Sequence, residues 1–353
     1  MPRADALHDD PVDAFDPGPL ARPARRSLSG DHPGEIGTML PPLIDHHVHL
    51  QLTKPDHLAA GGIAAVVDLG ANPSVVGRLA AREPMPHVRF AGQFLTAPGG
   101  YPAGRSWLPP GSLREVSPGR VADAGRALFD DAETAVDEQL RFGASVIKVA
   151  LNAAAGPVFD RPTLDAIVRA ARVRNLPVAV HAEGAGMAEL AIDAGVGVLV
   201  HTPWTEELPS ALVARAARDG QCWISTLDIH GHGAATAADS CAVSNLSRFH
   251  AAGGRVLYGT DLGNGALPIG VNAREVSALT RAGLDAAAVL AALTDAWPCR
   301  EASVRQAQDG AAWGMTGLAT FVPGPRPARL DGFGAWLGGA CVLPIEDLET
   351  IDP

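Results

Sequence analysis

From Leu43 to about Gly314 the chain alternates short β-prone runs with segments of helical period, and this alternation limits the fold more than any other feature. Neighbouring parallel strands need a crossover between them, and a helix that buries one face on the sheet supplies it. Eight runs can be counted: Leu43–Val48, Ile63–Leu69, Val88–Leu95, Ser145–Ala150, Val178–His181, Val196–Val200, Cys222–Leu227 and Arg255–Gly259. Between the fourth and fifth, Leu164, Ile167, Val168 and Ala171 fall at i, i+3, i+4 and i+7, so one face of a helix there can pack on the strands. The pattern predicts an α/β chain folded as a (β/α)8 TIM barrel. A chain of 353 residues that is 47% hydrophobic can bury such a core as one main domain.

The ends look different. Residues 1–42 are rich in proline and charge without a sustained apolar period, which predicts an extended or disordered N-terminal arm. The barrel is then expected over 43–314, and 315–353 reads as a small C-terminal appendage with β-prone fragments. Two connections exceed what a barrel needs, one from Thr96 to about Gly119 and one from Asp228 to about Asp239. Both would emerge at the C-terminal ends of their strands, where barrel enzymes place their sites.

Charge and cysteine usage exclude several classes of partner. A net charge of −11 opposes attraction to nucleic-acid backbones or anionic lipid surfaces, and neither is expected as a partner. The four cysteines form no CxxC pair, which speaks against a zinc ribbon or a disulfide framework and fits a reducing compartment. Without a basic, apolar leader or a run of about 18 apolar residues, the expectation is a soluble, cytoplasmic protein. Association into a homo-oligomer is left open.

The chemistry lies in what ends the strands. His47 and His49 are two residues apart, so on a strand both imidazoles point to one side and can share an ion. Lys148 sits inside an apolar strand, where an unpaired ammonium is costly to bury. The fifth run ends in His181, the sixth in His201, and the eighth runs out into Asp261. Taken singly, each has a plainer explanation: a strand-end histidine is more often a hydrogen-bonded structural residue, Lys148 could pair with a carboxylate, and Asp261 could cap a turn. Metal-competent side chains at the ends of five of eight strands are hard to obtain by coincidence, and together they predict a metal site.

On Leu43-Ile44-Asp45-His46-His47-Val48-His49, Ile147-Lys148, Val180-His181-Ala182-Glu183, Val200-His201 and Gly259-Thr260-Asp261, the chain resembles the amidohydrolase superfamily, most of all its imidazolonepropionase and prolidase-like branch. The resemblance spans roughly 43–300. It implies that His47, His49 and Asp261 hold the more buried of two ions, that His181 and His201 hold the second, and that Lys148, carboxylated by CO2, bridges them. Members of this branch also carry a small β-sandwich built from both chain ends. Residues 1–42 offer no convincing strands for it, so the sandwich is expected to be reduced or missing. Asp45 matches the motif but precedes the ligand pair, and a supporting role suits it better.

The imidazole-rich set favours Zn2+, with Mn2+ or Fe2+ also able to take mixed nitrogen and oxygen ligands. The expected reaction is hydrolysis of a C–N bond in an amide, cyclic amide or related small molecule, with Asp261 as proton shuttle. The same site could instead run a dehydrative cyclisation or another non-hydrolytic step of a biosynthetic pathway. A metal-binding protein without turnover fits less well, because a binder has no need of the Asp261 shuttle. Tyr101, Arg105 and Trp107 in the long third loop, Trp204 after His201, and His230 and His232 after the seventh strand are the candidate substrate contacts.

Overall fold

The computed structural model describes residues 15–82, 86–118, 131–299 and 311–351. The architecture is α/β. Ten parallel strands fall into two sheets. One has three strands, β3 (Leu43–Val48), β4 (Ile63–Asp68) and β5 (His87–Phe90). The other has seven, in the order β12-β11-β10-β9-β8-β6-β7, drawn from β6 (Phe94–Thr96), β7 (Leu113–Glu115), β8 (Ile147–Asn152), β9 (Val178–Glu183), β10 (Val198–Val200), β11 (Cys222–Ile224) and β12 (Arg255–Leu257). All eight runs expected from the sequence contain strand. The third is broken into β5 and β6, and β7 adds a short strand inside the long third loop.

Backbone hydrogen bonds join the two parallel sheets. On one side Ser145 N donates to Phe90 O (3.0 Å). On the other, His46 N donates to Tyr258 O (3.0 Å), Asp261 N to His47 O (2.8 Å) and His49 N to Leu262 O (2.7 Å). These bonds place β3 beside the segment leaving β12.

Helices fill the connections: α1 (Pro73–Ala80), α2 (Asp131–Arg141), α3 (Arg161–Val173), α4 (Met187–Asp193), α5 (Ser210–Arg218), α6 (Ala237–Ala251), α7 (Ala273–Arg281) and α8 (Ala286–Leu293). In α3, Leu164, Ile167, Val168 and Ala171 are buried as their period requires, and Asp160 caps the helix by accepting from Thr163 N (2.9 Å). Side chains on the strands alternate between two cores. Ile147, Val149, Val180, Leu199 and Trp223 belong to the larger core with the helices, while Val146, Ala179, Val198, Cys222 and Ile224 belong to the other. Lys148 follows Val146, and His181 follows Ala179, by two residues, so both take the next position on that second side. The site thus continues an apolar interior. Among the described residues no helix is long and apolar enough to cross a membrane.

Both chain ends supply strands. Among the described residues, β1 (Arg22–Arg26), β2 (Ile36–Leu40), β13 (Leu318–Pro323), β14 (Cys341–Pro344) and β15 (Leu348–Thr350) form one five-stranded antiparallel sheet in the order β14-β13-β2-β1-β15, a single layer and so a reduced form of the expected sandwich. Residues 22–26 and 36–40, read from sequence as part of an arm, are two of its strands, and residues 1–14 lie outside the described residues. β1, with the sequence RPARR, carries no apolar alternation, and its order comes from long-range partners. Ala24 pairs with Thr350 on one side and with Gly37 on the other, and Arg25 reaches Glu349 at 2.7 Å. A short helix, α9 (Phe333–Leu337), packs against α7 beside this sheet.

Gly37 shows how tightly the sheet is built, because a Cβ there would meet the Val322 carbonyl and lie 2.6 Å from the Phe321 ring. Gly37→Ala should therefore cost about 1–3 kcal/mol, the usual penalty of overpacking, read as a lower urea midpoint at unchanged slope. An unshifted midpoint would mean that β2 does not lie against β13 in this way.

Candidate metal centre

Four histidine rings run in a row at the strand ends. Ring centroids are 5.1 Å apart from His49 to His47, 4.8 Å from His47 to His201 and 5.0 Å from His201 to His181. Asp261 closes the row at one end: its Oδ1 is 3.2 Å from Nε2 of His47 and 3.2 Å from Nε2 of His49. His47, His49 and Asp261 offer three buried ligand atoms within 4.8 Å of one another. His47 Nε2 and Asp261 Oδ1 are buried without a hydrogen-bond partner despite their closeness. Orphaned polar atoms are rare in folded interiors, and atoms that converge without bonding one another fit a cation held between them.

The far nitrogens of three rings are fixed. His49 Nδ1 donates to Gly70 O (3.1 Å), His181 Nε2 donates to the Glu183 carboxylate (3.1 Å), and His201 Nδ1 lies 2.8 Å from Thr226 Oγ1. Metal-binding histidines use such partners to set tautomer and ring orientation. Burial lowers the pKa of His181 and drives those of His47 and His201 well below the ordinary imidazole value. The rings are thus neutral, with lone pairs to give. Burial pushes the Asp261 carboxyl up, but His47, His49 and His201 outweigh it and hold Asp261 well below the ordinary carboxylate value. The donor set suits a divalent ion.

Lys148 is 1% exposed and faces the same cavity as His49, His181, His201 and Asp261. Burial lowers its ammonium to about 7, with Asp261 and Asp68 opposing. The cavity has a volume of about 630 Å³. Tyr101, Trp107, Trp204 and His230 line it, as read from the sequence, whereas Arg105 and His232 do not. Arg105 is exposed over the Tyr101 ring at 5.6 Å, and His232 is turned outward on a left-handed backbone (φ 48°).

Several residues escaped the sequence reading. Glu183 lines the cavity and holds His181; it stands two residues after that histidine on β9, a spacing that could have flagged it. Asn264 donates from Nδ2 to Asp261 Oδ2 at 2.9 Å and also lines the cavity. Buried Asp68 ends β4, accepting from Leu50 N (2.7 Å) and Gly70 N (3.1 Å). Asp45, by contrast, supports the site as read from the sequence: it accepts from His47 N (3.0 Å), Thr260 N (3.1 Å) and Thr260 Oγ1 (2.5 Å).

Against solved structures, the chain superposes on an amidohydrolase with a TM-score of 0.63 at 20% identity, over 89% of this chain and 87% of the other. A Xaa-Pro dipeptidase with methionine bound in its active site gives 0.62 at 18% identity, over 89% and 87%. Phenylurea hydrolase B gives 0.60 at 16% identity, over 89% and 85%. The chain has an amidohydrolase-type fold. No family model matches it, and no curated protein is similar to it in sequence. In this amidohydrolase-type fold the sequence resemblance and the structural likeness agree.

If Thr226 orients His201, Thr226→Val should weaken divalent-metal affinity by about 10–100-fold, measured by competition with a chelator of known affinity. Unchanged affinity would show that His201 needs no such support or holds no ion.

Proposed function

We propose that the protein is a metal-dependent hydrolase that cleaves the C–N bond of a small amide, cyclic amide or related molecule. The convergence of His47 Nε2, His49 Nε2 and Asp261 Oδ1 beside a cavity, with His47 Nε2 and Asp261 Oδ1 buried without hydrogen-bond partners, is the observation that carries this reading. In this reading the two parallel sheets close as one eight-stranded barrel with the site at the C-terminal ends of its strands. The hydrogen bonds at both seams support that closure.

His47, His49 and Asp261 would hold the more buried ion and His181 and His201 a second. Lys148, with a pKa lowered to about 7, has a substantial neutral fraction near neutral pH, the form that adds CO2 to become a bridging carbamate. When bound, divalent ions in such a site lower the pKa of a water and polarise the substrate carbonyl, and zinc suits the imidazole-rich set. Asp261 is ionised and ready to accept the proton of the attacking water, then to return it to the leaving nitrogen. Asn264, bonded to Oδ2, fixes the rotation of that carboxylate during the transfer. The structural neighbours include a prolidase complexed with N-methylphosphonate-L-proline and a molinate hydrolase, and their hydrolytic names support the class of reaction.

Metal analysis by mass spectrometry should find close to two divalent ions per chain, and chelation should abolish turnover of a library of small amides. Lys148→Ala should lose occupancy of one ion, with partial rescue by short carboxylates. No change in stoichiometry or turnover would remove Lys148 from the site. Asp261→Asn keeps the shape but cannot take a proton, so kcat should fall about 100-fold or more while the fold persists. Full turnover by a metal-loaded Asp261→Asn protein would assign the proton transfer to another group, such as His230 on the cavity wall.

A further inference from the structure

The wall of the cavity beyond the metal-binding side chains is aromatic. Only 5% of the chain is Phe, Trp or Tyr, yet Phe94, Tyr101, Trp107 and Trp204 all line this one space. Tyr101 stacks on His181, with centroids 5.3 Å apart and planes at 23°. Trp204 stands edge-on to His201 at 5.4 Å and lies along His230 at 4.8 Å and 30°. Trp107 meets the edges of Phe94 (6.5 Å) and Tyr101 (6.1 Å), and although it lines the cavity it remains 40% exposed. A large apolar ring left open at a mouth gains most when a ligand covers it.

The polar groups of the same wall are few. Among the described lining residues Lys148 is the sole lysine or arginine, and it sits with the imidazoles, while Glu183 is hydrogen-bonded to His181. His230 is neutral here, because burial lowers it to about 4, and its Nε2 is buried without a partner beside Trp204, where it can bond a neutral polar group.

Resting on the hydrolase reading above, we propose that the site takes an amide carrying a flat arene next to the scissile group, as in an anilide. The arene belongs close to the reacting bond because the rings of Tyr101 and Trp204 touch His181 and His201 themselves. Ring stacking supplies the preference for a planar group over a saturated one of similar size.

The test reads binding without turnover, using ketones that cannot be hydrolysed. Phenylacetone mimics an anilide, and cyclohexylacetone replaces the flat ring. Calorimetry on the metal-loaded protein should show phenylacetone about tenfold tighter than cyclohexylacetone. Trp204→Leu should erase the gap between phenylacetone and cyclohexylacetone, and Trp204→Phe should keep most of it; circular dichroism confirms that both variants fold. No binding of phenylacetone, equal or tighter binding of cyclohexylacetone, or a preference that survives in folded Trp204→Leu overturns the proposal. If phenylacetone wins but acetanilide is never cleaved, the arene preference stands and the hydrolase reading falls.

Discussion

The site depends on the junction between β3 and the chain that leaves β12. Its hydrogen bonds run from His46 N to Tyr258 O, from Asp261 N to His47 O and from His49 N to Leu262 O, so three consecutive bonds carry the eighth run alongside the first. Asp45 reinforces them with a buried carboxylate that accepts from both sides, from His47 N and from Thr260 N and Oγ1. Burial raises this carboxyl to about 7, against the hydrogen bonds that favour its ionised form. Such a group persists inside a protein only where its partners are complete. Without this junction, residues more than 200 positions apart in sequence would have no reason to present His47, His49 and Asp261 to a common point.

Local backbone strain accompanies that convergence. His201 (φ 71°) and Asp261 (φ 60°) both adopt the left-handed conformation, which side chains other than glycine seldom take. Thr226, beside His201 Nδ1, does so as well (φ 43°). Each such residue costs on the order of 1–3 kcal/mol unless its surroundings fix it. Here the strand pairings fix it, and the turned backbone is what aims each side chain back across the strand ends.

The antiparallel sheet from the chain ends is tied to the same scaffold. Thr320 on β13 accepts from Leu43 N and donates to Gly62 O, at 3.2 Å each, so one hydroxyl links that sheet to the starts of β3 and β4. Val342 N adds a bond to Ala59 O at 2.9 Å. The strand that bears the histidine pair therefore rests on chain-end structure at one end and on the Asp45 junction at the other.

By itself the sequence determined the parallel strands and the residues that end them. The helix of α3 was legible from a periodic apolar face, and His47, Lys148, His181, His201 and Asp261 from polar groups terminating apolar runs, because both signals are local and repeat with the geometry of the element. Other features had no local signal and were decided only by the tertiary structure. β1 and β2 are ordered by partners some 300 residues away, so their proline and charge read as an arm. Arg105 and His232 stood in the right loops but do not line the cavity, since loop position does not fix direction. Asn264, Asp68 and Thr226 became parts of the site only when distant strand ends met, and the aromatic wall of the cavity formed only when the segments that follow β6 and β10 closed over one space.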